Sequence, residues 1–344
     1  MTTRGFWSDN ASGVHPDILA AIARANEGHA PAYGADPWTG ALEELARETF
    51  GPDAQIFPVF NGTGANVVAL QALLQRWEAV VTSAASHVVT DESTAPQLVG
   101  GTAVVPLPPT AGKVALGDVA RVLAGWDGSV HHARPAALSL TQSTELGTTY
   151  TLAELRALAD VAHAHGARLH VDGARLANAA ARLGVSLREI TADVGVDVVS
   201  FGGTKNGMLV GDVVVVLDPA LAEPVARLRK ASAQLASKAR FVSAQLVALL
   251  ADGLWERNAR HANDAADHLA ARLRAELGIE PVHPVQANAV FIPVPAAVLP
   301  DVLAAAPVLA WDRAGGVLRA VTSFDTTDDD VERLVAALAG VLQG

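Results

Sequence analysis

Lys205 stands in the stretch "VSFGGTKNGM", between apolar runs that read as buried strands. A lysine so placed has to be paired or neutralised, and desolvation lowers its pKa until the amine becomes a usable nucleophile. In "RLHVDGARL", Asp172 closes an apolar run and Arg175 follows shortly after. Ligands of open α/β sheets sit at the carboxyl ends of strands, which makes Asp172 a candidate site residue. A helix N-cap aspartate is also common at such a position. "FPVFNGTGANVVAL" runs from a strand through Gly62, Thr63 and Gly64 into a helix. The unpaired N–H groups and positive dipole end of a helix start suit a phosphate. No Gly-Lys-Ser/Thr follows, and Val67 fills the last glycine position of a dinucleotide fingerprint, so neither phosphate motif is complete. An ordinary βα turn would look the same. Together, however, a lysine amine, an acid and an anion cradle are what pyridoxal 5'-phosphate requires, as Schiff-base partner, pyridine-nitrogen partner and phosphate seat. The small residues around Lys205 are then expected to let a flat ring and its phosphate approach the backbone.

The elements that would position these groups alternate. "HPDILAAIARANEG" has helical spacing and stops at Gly28, and "GALEELARETFG" is a second helix closed by Gly51. "AQIFPVF" is strand-like, "NGTGAN" turns, and "VVALQALLQRW" is helical. "AVVT", "HVVT" and "TAVVPL" are short β-branched runs, and "AALSL" leads into the polar turn "TQSTELGTTY". Thr151 and Glu154 open the next helix in capping-box register. Strands alternating with helices predict an α/β fold with a largely parallel sheet. After residue 250 the texture changes to a long helix, short strands and a closing helix that starts with Asp328, Asp329 and Asp330, as the helix dipole favours. The expected division is an N-terminal arm (1–15), a large domain (16–249) and a small α+β domain (250–344), in keeping with 344 residues being too many for one ordinary core.

Half of the residues are apolar and 18% charged, as in a globular enzyme, and the net charge of −11 argues against a nucleic-acid partner. Zero cysteines exclude disulfides, thiolate nucleophiles and zinc–thiolate sites. "MTTRGFWSDN" lacks an apolar signal core and no stretch is long enough for a bilayer, so a cytoplasmic protein without membrane contact is expected. The spacing of His163 with His165, and of His261 with His268, gives no metal site.

The motifs "SDNASG", "AYGADPWT", "FNGTGAN", "SHVVTDE", "LSLTQSTELGTTYT", "HVDGARL", "FGGTKNGM" and "LASKARFVSAQ" span nearly the whole chain. Through them the sequence resembles the threonine aldolases, pyridoxal-phosphate enzymes of the aspartate-aminotransferase-like fold (fold type I), and most of all a bacterial low-specificity branch. Other members carry a Glu-Asn-Thr-type turn near 141–144 and Ser-Lys-Gly at the lysine, and this chain departs from both. The resemblance implies a seven-stranded large domain, Lys205 as Schiff-base lysine, Gly62 and Thr63 on the phosphate, and Asp172 on the pyridinium nitrogen. It also implies Arg175 near the cofactor's phenolic oxygen or the substrate, and His87 stacked on the ring. Ser8 and Arg319 would hold the substrate carboxylate, Tyr33 would lie near the site, and His131 would face the β-hydroxyl. Arg240 would reach a phosphate across a subunit boundary in a homotetramer, a dimer of dimers with sites at the dimer interface.

The implied reaction is retro-aldol cleavage of L-threonine or L-allo-threonine to glycine and acetaldehyde. The expected base for the β-hydroxyl proton is His87 or His131, directly or through water. Phenylserine cleavage, β-elimination, transamination, an oxidoreductase resting on "GTGANV" and a non-catalytic cofactor-binding protein are the competing readings.

Overall fold

The computed structural model describes residues 4–343. Ten strands carry the architecture: β1 (Gln55–Val59), β2 (Glu78–Ser83), β3 (Ala103–Leu107), β4 (Arg134–Thr141), β5 (Arg168–Gly173), β6 (Val198–Phe201), β7 (Asp212–Val216), β8 (Ala289–Pro293), β9 (Leu309–Asp312) and β10 (Val317–Val321). The first seven form one sheet in the order β1-β7-β6-β5-β4-β2-β3. β7 pairs antiparallel to both neighbours, and every other pairing is parallel. The expected α/β fold with a mostly parallel seven-stranded sheet and a smaller C-terminal α+β part is therefore present. β2, β6 and β7 are buried at every position, because helices cover both faces of the sheet. No helix among the described residues is long and apolar enough to cross a membrane.

Strand direction decides where chemistry can sit. β1, β2, β4, β5 and β6 point the same way, so their carboxyl ends share one rim. The reversed β7 brings its first residue, Asp212, to that same rim, opposite Val59. Asn61, His87, Asp172 and Lys205 all follow or close strands at this edge.

Several helix boundaries differ from the sequence expectation. The second helix starts at Pro37 and not near Gly40, because the Asp36 side chain accepts from Thr39 N–H and Pro37 fits the first turn. The first ends at Ala25, ahead of Gly28. "NGTGAN" is already helical from Gly62, capped by the Asn61 side chain at 2.7 Å from Gly64 N. "HVVT" is not a β-type run: His87–Thr90 is one helical turn, with the Val89 and Thr90 N–H groups on Ser86 O. Two local bonds to one carbonyl outweigh β-branched preference in so short a piece. The capping box at Thr151 and Glu154 forms as its spacing predicts.

The C-terminal sheet is antiparallel, in the order β8-β10-β9. The long helix Leu254–Leu277 contributes Leu254, Trp255 and Ala259 to the core of the large sheet, and Ala266, Leu269, Ala270 and Leu273 to the core under the small one. Phe6 is buried in that second core; its N–H donates to Pro307 O at 2.7 Å, and Val321 N–H donates to Phe6 O at 2.9 Å. The amino-terminal arm is thus stitched to the C-terminal sheet, and residues 1–3 lie outside the described part.

Helix Pro37–Phe50 lays Leu42, Ala46 and Phe50 as one stripe on the main core. The Phe50 ring meets Phe201 edge-on, with centroids 5.7 Å apart. Phe50→Ala should therefore lower stability by about 3–5 kcal/mol, read as a lower urea midpoint at unchanged slope. A midpoint equal to that of the parent would contradict this packing.

Candidate active site

A cavity of about 450 Å³ opens at the carboxyl rim of the sheet. Asn61, Gly62, Thr63, His87, Asp172 and Lys205 are among its lining residues, so the groups singled out by type and spacing do meet. Gly62 and Thr63 head a helix whose Asn61 cap takes the Gly64 N–H. Their own N–H groups lie beyond the reach of intrahelical bonds, and no acceptor among the described residues takes them.

Lys205 sits in a short 3-10 turn (Thr204–Asn206) just past β6. The surrounding protein strips water from its amine and Arg175 adds like charge, so its pKa lies below the ordinary lysine value, while Asp9, Asp172 and Asp212 pull the other way. Asp212 shapes the turn by accepting from Gly203 N at 2.8 Å and Thr204 N at 3.0 Å, and burial raises its own pKa. The glycines here serve the chain's own packing, and Gly202 also lines the cavity. A Cβ on Gly202 would stand 2.4 Å from Ala174 O, and Gly207 has φ +102°. Gly202 lets the exits of β5 and β6 lie side by side, which brings Asp172 and Lys205 to one cavity.

Asp172 is buried at the end of β5, with Oδ1 accepting from Ala174 N at 3.1 Å and Oδ2 from Asn66 Nδ2 at 2.8 Å. The same amide nitrogen donates to Glu92 Oε1 at 2.7 Å. Burial first, and then Asp172, push Glu92 up to about 8, so Glu92 is mostly protonated at neutral pH. His87 has a lowered pKa, from burial and from the Lys205 charge.

Arg175 is clamped by Asp9, Nε to Oδ2 at 2.7 Å and a terminal nitrogen to Oδ1 at 2.9 Å. Asn288 Nδ2 also donates to Asp9, at 3.0 Å. Arg319 behaves differently. It has no ion pair among the described residues, its Nε is buried without a partner, and its guanidinium lies 5.0 Å from the Trp311 ring centroid. Burial and Arg175 lower its pKa. Arg175 and Arg319 border a narrow recess with Ser143, Glu145 and Asn288. Ser143 Oγ, Glu145 Oε2, Asn288 Oδ1 and Arg319 Nε are all buried there without a hydrogen-bond partner. Buried polar atoms left unpartnered on residues that border one recess call for a polar occupant, a water or a ligand group.

Other expected residues lie elsewhere. The Ser8 hydroxyl is spent in its own turn, accepting from Asn10 N and facing Asp9, and the cavity is lined by Asn10 instead. His131 is exposed in the loop before β4, at the amino end of that strand, so this chain's fold holds it at the opposite edge of the sheet from its own cavity. Tyr33 is 54% exposed under Lys230, and Arg240 bonds Gly28 O at the surface; neither lines the cavity of this chain. Sequence reasoning missed Asp9, Asn66, Glu92, Glu145, Asp212 and Asn288. Asp9 lies in "SDNASG", Asn66 in "FNGTGAN", Glu92 in "SHVVTDE" and Glu145 in "TQSTELGTTY", all stretches already singled out, whereas Asp212 and Asn288 lie outside those motifs.

Known proteins resemble this chain in sequence and fold. The family described as beta-eliminating lyase matches residues 5–297. The low specificity L-threonine aldolase of a Pseudomonas species is 38% identical over 98% of this chain and 97% of its own length. That of Pseudomonas aeruginosa is 42% identical over 84% of each. The solved structure of Leishmania major threonine aldolase superimposes with a TM-score of 0.91 at 29% identity, covering 98% of this chain and 99% of that one. An aspartate aminotransferase from Thermus thermophilus shares the fold, with a TM-score of 0.68 at 20% identity over 96% of this chain and 89% of that one. Identity of 38% and 42% over 98% and 84% of the chain, on top of the family match, makes this chain a member of the beta-eliminating lyase family, in its low-specificity threonine aldolase branch.

Proposed function

We propose that the chain binds pyridoxal 5'-phosphate in the rim cavity and cleaves β-hydroxy-α-amino acids, L-threonine and L-allo-threonine among them, to glycine and an aldehyde. The observation that carries this reading is the meeting of Lys205, Asp172 and the Asn61–Thr63 helix start around one cavity beside the unneutralised Arg319.

The residues fit the group. The free N–H groups of Gly62 and Thr63, with the Thr63 hydroxyl, would hold its phosphate. The Asp172 carboxylate would face its ring nitrogen, and the depressed pKa of Lys205 favours the neutral amine that attaches its aldehyde. His87 would cover the ring. Bound there, the cofactor supplies an electron-accepting conjugated ring for a bond broken at the substrate's Cα.

The rest is positioning by the chain. Arg319 takes the substrate carboxylate, since its charge has no other partner, whereas Arg175 is already shared with Asp9. Fixing the carboxylate fixes rotation about the bond to nitrogen and so selects which Cα bond is cleaved. The assembly reading is a homotetramer with sites completed at a dimer interface. Phe60, Leu209 and Val210, at 42%, 55% and 42% exposure on the cavity wall, support it. Tyr33 and Arg240 would then serve a neighbouring subunit.

Three outcomes are expected. Incubation of the holoenzyme with the four threonine stereoisomers and phenylserine should release glycine and aldehyde from at least one L-isomer; glycine from none would end the aldolase reading. Lys205→Ala should lose the visible absorbance of lysine-bound cofactor, and a retained band would remove Lys205 from its role. Arg319→Gln should keep that band while raising KM for threonine about 10- to 100-fold, the range for a hydrogen bond to a charged group. An unchanged KM would place the carboxylate elsewhere.

A further inference from the structure

We propose that Glu145 is the base that takes the β-hydroxyl proton during Cα–Cβ cleavage, a role that rests on the aldolase reading above.

Glu145 lies in the polar loop after β4, buried to 9% exposure. Its Oε1 is committed, accepting from Thr141 Oγ1 at 2.7 Å and from His87 N at 3.0 Å. Its Oε2 is buried and has no partner. Two hydrogen bonds on one oxygen fix the plane of the carboxyl and leave the other oxygen for a ligand. Glu145 also borders the recess that holds Arg175, Arg319, Ser143 and Asn288.

The recess thus offers an unpaired cation and an unpaired carboxyl oxygen in one small space. A β-hydroxy-α-amino acid presents the complement, a carboxylate and a hydroxyl on adjacent carbons. With the carboxylate on Arg319, the hydroxyl falls to Glu145. The step balances: the O–H bond breaks to Oε2 and its electron pair forms the aldehyde C=O. The Cα–Cβ pair stays with the glycine fragment. One proton later reaches Cα, and Glu145 gives up the one it took.

Glu145 is tuned for this work. Its pKa is pushed up to about 7, chiefly by burial and in smaller part by Asp172 on β5, against the lowering by bonds from Thr141 and from the Glu145 and His87 main chains. Arg175 lies within range of its charge, Arg319 borders the same recess, and Tyr150 is the remaining titratable neighbour. A base has to be ionised, so kcat/KM should fall as pH drops below about 7. His87, the rival base, lines the larger cavity and has a pKa below the ordinary histidine value.

The test compares wild-type, Glu145→Gln and Thr141→Val holoenzymes. Gln keeps an oxygen to accept from Thr141 and His87. Glu145→Gln should retain the visible absorbance band and the exchange of glycine's α-hydrogen with solvent deuterium, which needs no β-hydroxyl base. Its kcat/KM for L-threonine should fall about 10²- to 10⁴-fold and lose the acidic limb. Thr141→Val removes a bond that favours the ionised form, so its acidic limb should move to higher pH. A Glu145→Gln enzyme with near-parental kcat/KM, or one that keeps the limb, overturns the proposal. Loss of the band or of glycine exchange marks a structural role and overturns it equally, as does an unmoved limb in Thr141→Val. If wild type itself releases no glycine from threonine, the aldolase reading fails first, and the two failures are told apart.

Discussion

The arrangement depends on holding a lysine amine away from water at the end of a strand. An ammonium there is unfavourable unless anions answer it, and too many anions would fix it in the charged, unreactive form. The chain sets Asp9, Asp172 and Asp212 around Lys205 and opposes them with desolvation and Arg175. Each anion is itself tied down: Asp9 by Arg175 and Asn288, Asp172 by Asn66 and Ala174 N, and Asp212 by Gly203 N and Thr204 N. None is free to collapse onto the lysine, and the depressed pKa persists because the geometry is fixed from outside.

The same economy gives two arginines different roles. Arg175 is neutralised within the chain and acts as part of the framework between the amino-terminal arm and β5. Arg319, stacked on Trp311 in the C-terminal sheet, keeps its charge available. Splitting the roles across two sheets lets the site hold a substrate anion without loosening the scaffold.

Much of this was legible beforehand because some residues bring their meaning with them. Lys205 between apolar runs, Asp172 closing a strand and Gly62–Thr63 opening a helix can be recognised locally, and strand–helix alternation gave the sheet. Helix starts are legible too: Asp36–Pro37 is a cap-and-proline signal that opens the second helix ahead of its apolar periodicity. Glu92, Asn66 and Glu145 were not legible. Asn66 matters because it touches Asp172, a residue 106 positions away, and only folding creates that contact. Glu145 looked like one polar residue in a polar turn until β4, His87 and the C-terminal sheet closed around it. Strand direction puts His131, in the loop before β4, at the far edge of the sheet from this chain's own cavity. For the glycines around Lys205 the fold adds a second reason, since the neighbour that excludes a Cβ at Gly202 is Ala174 O of the chain itself.

The stitching of Phe6 and Asp9 to the far end of the chain sets an order of events during synthesis. The arm leaves the ribosome first, yet its partners Asn288, Pro307 and Val321 are made among the last residues. Until then Arg175 has no Asp9 held in place to meet it, and the lysine turn lacks one of its three anions. A nascent chain that has completed its large sheet therefore carries the lysine without one of the anions that balance Arg175 and desolvation, until the arm docks on the C-terminal sheet.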